Sequence, residues 1–179
     1  YEPITDANFK DAVNLWFSDE ANATYIYGHI SDWNVSAVTN MSQAFKDRTT
    51  FNEDISNWDV SNVTNMDFMF SGASAFNQPI GNWNTSSVTN MRNMFQKALS
   101  FNQPINDWNV ASVTNMGTMF SQSGFNQDIG DWNVSLVENM SWMFNKCSTF
   151  NQSLVHWNVS SVENMRGMFL DTSFNHDIG

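Results

Sequence analysis

This chain is poor in cysteine, proline and positive charge. Its one cysteine, Cys147, excludes an internal disulfide and leaves the redox compartment open. Seven Lys and Arg are scattered against eighteen Asp and Glu, giving a net charge of −11. That distribution leaves no electrostatic footprint for nucleic acid or an anionic membrane. No apolar run approaches the ~18 residues needed to cross a bilayer. No His/Cys cluster has zinc-ligand spacing, and no nucleophile elbow or phosphate-binding glycine loop occurs. A secretory signal is missing too. The chain begins at Tyr1 without a methionine and stops inside a repeat, so it reads as a fragment of a longer protein.

What the chain has is one motif, repeated. The stretch 51–75, FNEDISNWDVSNVTNMDFMFSGASA, recurs from Phe76, Phe101, Phe125 and Phe150. A diverged copy starts at Ile26, and a truncated one closes the chain over 174–179. The copies are 26–50, 51–75, 76–100, 101–124, 125–149 and 150–173, a fixed period that signals a repeat array. Residues 1–25 lie outside the period. Phe9, Ala12, Val13, Trp16 and Phe17 have helical spacing there, with Thr5 or Asp6 as N-cap. This predicts an N-terminal helical cap, ended by Asp19, Glu20 and Asn22, over the otherwise open first copy.

Counted from the leading Phe, apolar residues fall at positions 1, 5, 8, 10, 13, 16, 19 and 20 of each copy. Trp58-Asp59-Val60 alternates with the period of a strand. Val63, Met66, Met69 and Phe70 step with the period of a helical or 3₁₀ turn. Each copy is thus expected to hold a short strand, a corner, a helical segment and a return loop. All eleven methionines occupy position 16 or 19 and read as core, as do the tryptophans of position 8. Cys147 stands where other copies carry Ala73, Ala98 or Ser123, and reads as a small buried residue. Trp142, alone at position 18, reads as exposed. The recurring Asn of positions 2 and 15 predict ladders of side-chain to backbone hydrogen bonds.

The pattern Ile-x-x-Trp-x-Val-x-x-Val-Thr-x-Met-x-x-Met-Phe, from Ile55 to Phe70, resembles the repeat of the BspA-like leucine-rich-repeat surface proteins, with their WDVSxVTNMxxMF motif. The lead-in ITDANFKDAVNLWFSDEANATYIYGHISDWNVS resembles the start of that domain. Departures are Thr85 for Val, Ala44 for Met, and Glu138 and Glu163 for Thr. The resemblance implies an α/β repeat solenoid, a leucine-rich-repeat-like right-handed coil with one short parallel strand and one helical or 3₁₀ segment per copy. It also implies a cell-surface or secreted setting, a role in adhesion or partner binding, and no catalytic residues.

Outward-pointing side chains on the expected strand form ranks. Position 7 reads Asp32, Asn57, Asn82, Asp107, Asp131 and His156; position 9 reads Asn34, Asp59, Asn84, Asn109, Asn133 and Asn158. Position 11 is Ser or Ala. At ~4.8 Å per strand a rank of six spans about 24 Å, a strip suited to an extended protein or glycan on a cell or matrix surface. Asp107, Asp128 and Asp131 are thin candidates for calcium, which needs six to eight oxygens. No cofactor is expected. A hydrolase triad of His156, Asp131 and Ser160 fails because four strand residues span about 13 Å. The threonine rank Thr39, Thr64, Thr89, Thr114 breaks at Glu138, which argues against ice binding. The expected function is therefore non-enzymatic binding to a protein partner, with glycan binding, an inert spacer and ice binding as alternatives in that order. The uncapped last copy predicts a following domain or end-to-end self-association.

Overall fold

The computed structural model describes residues 1–178. Two helices open the chain, α1 (Phe9–Ser18) and α2 (Glu20–Tyr27), followed by a 3₁₀ turn at Ile30–Asp32. α1 forms where Phe9, Ala12, Val13 and Trp16 fall on one buried face. Its N-cap residue is Asn8, which makes no side-chain cap, rather than Thr5 or Asp6. Asp19 ends α1 and caps α2, accepting the Asn22 amide at 3.1 Å. The acids expected only to break the helical pattern therefore start a second helix.

The repeats correct the expected fold class. Among the described residues there is no strand and no sheet, and no helix follows Asp32. The α/β repeat solenoid of leucine-rich-repeat type is thereby excluded. Neighbouring copies share isolated parallel bridges along the position-15 asparagines, from Asn40 to Asn164.

Turns replace both expected elements. In the copy at 51, Met69 donates to the Met66 carbonyl at 3.1 Å, Ser71 to Phe68 at 3.2 Å and Ala73 to Phe70 at 3.0 Å. These are consecutive i→i+3 turns. The intervening amides point sideways: Met66, Phe68, Phe70 and Gly72 donate to carbonyls of Asn90, Arg92, Met94 and Gln96 in the next copy at 2.7–2.9 Å. A helix would keep every such bond within one segment. Here alternate amides stitch one copy to the next.

The device that allows this is left-handed backbone. Positions 18 and 22 have positive φ in all six copies, from Gln43 (62°) and Asp47 (58°) to Gly167 (64°) and Asp171 (56°). Ten of these twelve residues are not glycine. Positive φ at the third residue of an i→i+3 turn is the signature of a type II turn.

The core is a set of aromatic columns. Position-20 and position-1 rings form paired near-parallel columns: Phe70–Phe76 at 4.1 Å and Phe95–Phe101 at 4.0 Å pair the two columns, and Phe76–Phe101 at 6.0 Å stacks one copy on the next. Position-8 indoles stack alongside, as in Trp83–Trp108 at 6.4 Å and Trp108–Trp132 at 6.5 Å. From Trp58 onward each position-8 indole N–H donates to the position-5 carbonyl of the preceding copy, Trp108 to Ile80 at 3.0 Å and Trp132 to Ile105 at 3.1 Å, whereas Trp33 donates to Gly28 at 2.9 Å. The methionines are buried in the same core except Met165, which is 41 % exposed.

The N-terminal helices close the columns edge-on. Trp16 meets Trp33 at 6.3 Å and 86°, and Phe17 meets Phe51 at 5.7 Å and 72°. A T-shaped ring ends a stack favourably, since its positive edge meets the negative face of the last ring.

Candidate functional site

All twelve side chains of positions 7 and 9 are solvent-exposed, from Asp32 and Asn34 to His156 and Asn158. No strand carries them. They flank the buried Trp of position 8, and the turn that follows fixes the position-9 rank. Asn34, Asp59, Asn84, Asn109, Asn133 and Asn158 each accept, through Oδ1, the amide two residues on, at 3.0–3.2 Å. Six successive Asx turns give this rank a structural task that its sequence position did not reveal. The Ser61 hydroxyl and amide hold the Asp59 carboxyl below its usual range. The position-11 residues Ser36, Ser61, Ser86, Ala111 and Ser135 are half-buried.

Position 7 is freer. Asp107 accepts from Asn106 at 2.9 Å. The side chains of Asp32, Asn57, Asn82, Asp131 and His156 have no hydrogen-bond partner among the described residues. This rank, of acids, amides and one histidine, is the part of the strip whose side chains are exposed and mostly not bonded to the protein.

The acids proposed for calcium do not converge. Asp128 is committed to the Gly130 amide at 2.9 Å, and among the described residues no three His, Cys, Asp or Glu side chains group as a metal site. The other asparagine ranks are structural. Asn77 accepts, through Oδ1, the Asn102 amide at 3.0 Å, and Asn102 accepts the Asn126 amide at 2.9 Å, a ladder between copies. The position-15 asparagines bond mostly within their own copy, as Asn65 Oδ1 does with the Asp67 amide at 3.0 Å, and Asn139 Nδ2 also donates to Asn115 Oδ1 of the preceding copy at 3.3 Å. The threonine hydroxyls bond to the preceding Thr carbonyl, as Thr89 does to Thr64 at 3.3 Å.

Three features escaped the sequence reading. A groove of about 340 Å³ lies where the N-terminal segment crosses the first copy, lined by Tyr1, Thr5, Tyr27, Asp32, Asn34 and Ser36 among others. Burial first, then the charges of Glu2 and Asp11, push the Tyr27 phenol up. Second, six of the seven basic residues, all but Lys10, fall at positions 17–23 of their copies, on the turn run. There Lys46 and Arg92 cover the Phe68 ring at 5.1 and 5.4 Å. Third, Trp142 is half-buried, not exposed, with the Arg166 guanidinium 5.5 Å from its ring.

The chain matches one described sequence family over residues 12–124 and again over 119–179, the Mycoplasma protein of unknown function, DUF285. The chain belongs to this family. No curated protein and no solved structure matches it. The two matched segments together cover nearly the whole DUF285 chain, the second helix and every copy of the repeat included. No helix among the described residues is long and apolar enough to cross a membrane.

Proposed function

We propose that this DUF285 chain is a non-enzymatic, surface-displayed or secreted binding module of the BspA-like type, which holds an extended partner along the position-7 strip. The supporting observation is the contrast between the two ranks. Position 9 commits one oxygen of each side chain to a turn, while position 7 keeps five of six side chains exposed and unpaired. A periodic row of donors and acceptors on a rigid support suits a polymer better than a small molecule, and its geometry is set before binding.

The test replaces Asn82 and Asp131 with Arg together. Neither side chain bonds to the protein, so the fold and melting temperature stay unchanged. Capture of a panel of matrix and cell-surface proteins on an immobilised chain is expected to fall to background in the double variant. Undiminished capture would remove the strip as the site. A second reading, a glycan partner, is favoured by the groove at the strip's first copy, where aromatic rings stand beside a carboxylate and an amide.

A further inference from the structure

We propose that the groove at the first copy binds the ring of a neutral hexose, the terminal sugar of a glycan running along the strip. The inference rests on the glycan reading of the strip and names its anchoring subsite. Tyr1 supplies a platform. Its ring is 89 % exposed, yet one edge rests on Gly28, where an added Cβ would stand 3.0 Å from Cε2. Gly28 also has φ +85°, a conformation side chains disfavour, so position 28 keeps the space the ring occupies. The segment behind the ring is tied down: Glu2 donates its amide to the Ile26 carbonyl at 2.9 Å, and Thr5 bridges to Ala37. A pyranose has an apolar C–H face that lies on such an exposed ring.

Polar groups meet the sugar's edge. Asn34 Oδ1 is held by the Ser36 amide at 3.1 Å and hydroxyl at 2.7 Å, which fixes the side chain and leaves its NH₂ unpartnered. The Asp32 carboxylate, two residues away, is also unpartnered. One acceptor and one donor side by side match two neighbouring hydroxyls. A volume of about 340 Å³ is at the small end of ligand sites and accommodates one or two sugar rings. Charge selects among sugars. Glu2 and Asp32 line the groove against a single positive group, the Tyr1 α-ammonium, with no Lys or Arg, so the net negative charge disfavours uronates, sialic acids and sulfated sugars. One copy further on, Asn57 and Asp59 repeat the pair, so a glycan leaving the groove meets the same chemistry.

The experiment titrates the ¹⁵N-labelled chain with methyl glucoside, galactoside and mannoside, with N-acetylneuraminic acid as the anionic comparison. At least one neutral glycoside is expected to shift the amides of Tyr27, Asp32 and Asn34, and the anionic sugar none of them. Asp32→Ala and Tyr1→Ala are each expected to weaken binding about tenfold at unchanged melting temperature, the loss of a charge-assisted hydrogen bond or a stacking surface. Silence of these amides toward every neutral glycoside, or undiminished affinity in both variants, would overturn the proposal. The Asn82→Arg, Asp131→Arg double variant separates the two readings. Hexoside binding that survives in it, with oligosaccharides gaining nothing over monosaccharides, supports the groove and sinks the strip. Oligosaccharide capture lost in the double variant but untouched by Asp32→Ala sinks the groove and leaves the strip.

Discussion

The Asp6 carboxylate accepts the Thr39 amide at 2.8 Å, the place that the Thr39 carbonyl itself takes toward the Thr64 amide, also at 2.8 Å, one copy later. Asp6 further accepts the Thr39 hydroxyl at 2.6 Å and the Asn40 amide at 3.1 Å. It thus stands in for a preceding copy, satisfying donors that would otherwise end in water. Partial burial raises its pKa, but these three hydrogen bonds outweigh that and hold the carboxyl below its usual value. Asp6→Ala is expected to cost about 0.5–2 kcal/mol, by analogy with loss of a helix N-cap. A folded-state pKa below the unfolded value near ~4 means the contribution is full above that value and is lost as pH falls through the folded one. Urea melts of both proteins at pH 7 and pH 3 check this: the gap between them should narrow in acid.

Trp108 is 3 % exposed, stacked between Trp83 and Trp132, and bonded to the Ile80 carbonyl. Trp108→Ala is expected to cost ~3–5 kcal/mol as a buried aromatic truncation. Trp108→Phe keeps most of the area but leaves that carbonyl unpaired, and should cost ~1–3 kcal/mol. A Trp108→Phe variant as stable as the parent would mean that the indole hydrogen bond contributes nothing.

The left-handed positions predict a gain. Thr118 is β-branched at φ 60°, while the equivalent Gly167 sits at 64° without penalty. Left-handed backbone costs a non-glycine residue ~1–2 kcal/mol, and glycine's extra freedom in the unfolded chain returns ~0.5–1. Thr118→Gly should therefore raise stability by about 1 kcal/mol in thermal melts. The same change at Met116, whose φ is not positive, should lower it.

Cys147 is fully buried, and burial pushes its thiol up despite hydrogen bonds from its surroundings that act the other way. A disulfide-exchange reagent at pH 8 should label it only in denaturant. Cys147→Ala should change stability by less than ~1 kcal/mol, since Ala73 and Ala98 fill the equivalent place. Rapid labelling of the native protein would contradict the burial.

How far the chain could be read from its letters is clear in these residues. Phase and core were legible, because Trp58, Val63, Met66 and Phe70 recur with a period that only inward-facing side chains need. The conformation between them was not. Met66, Met69 and Phe70 have the same spacing in a 3₁₀ turn and in a run of turns of which alternate ones are type II, and periodicity cannot tell where the amide of Phe68 points. Phe68 itself, bulky and at φ 56°, gives no sign of left-handed backbone, though Gly167 at the matching position 18, and Gly72 at position 22, were a signal available in the alignment of copies. In the candidate site, exposure of positions 7 and 9 followed from alternation around Trp58. The Asx turns were foreshadowed by Asn or Asp two residues before Ser, a local pattern that the reading of a strand displaced. The groove needed Tyr1 and Tyr27 brought beside Asp32, a contact between the cap and the first copy that no repeat can encode.

The sideways amides have a mechanical consequence. Because Met66, Phe68, Phe70 and Gly72 bond only to the adjoining copy, tension applied along the backbone from one end loads one junction at a time rather than the whole molecule. Each release frees 24 or 25 residues, about 85 Å of slack at ~3.4 Å per residue. A chain built this way lengthens in even steps and absorbs work at each, yielding gradually instead of in an abrupt snap.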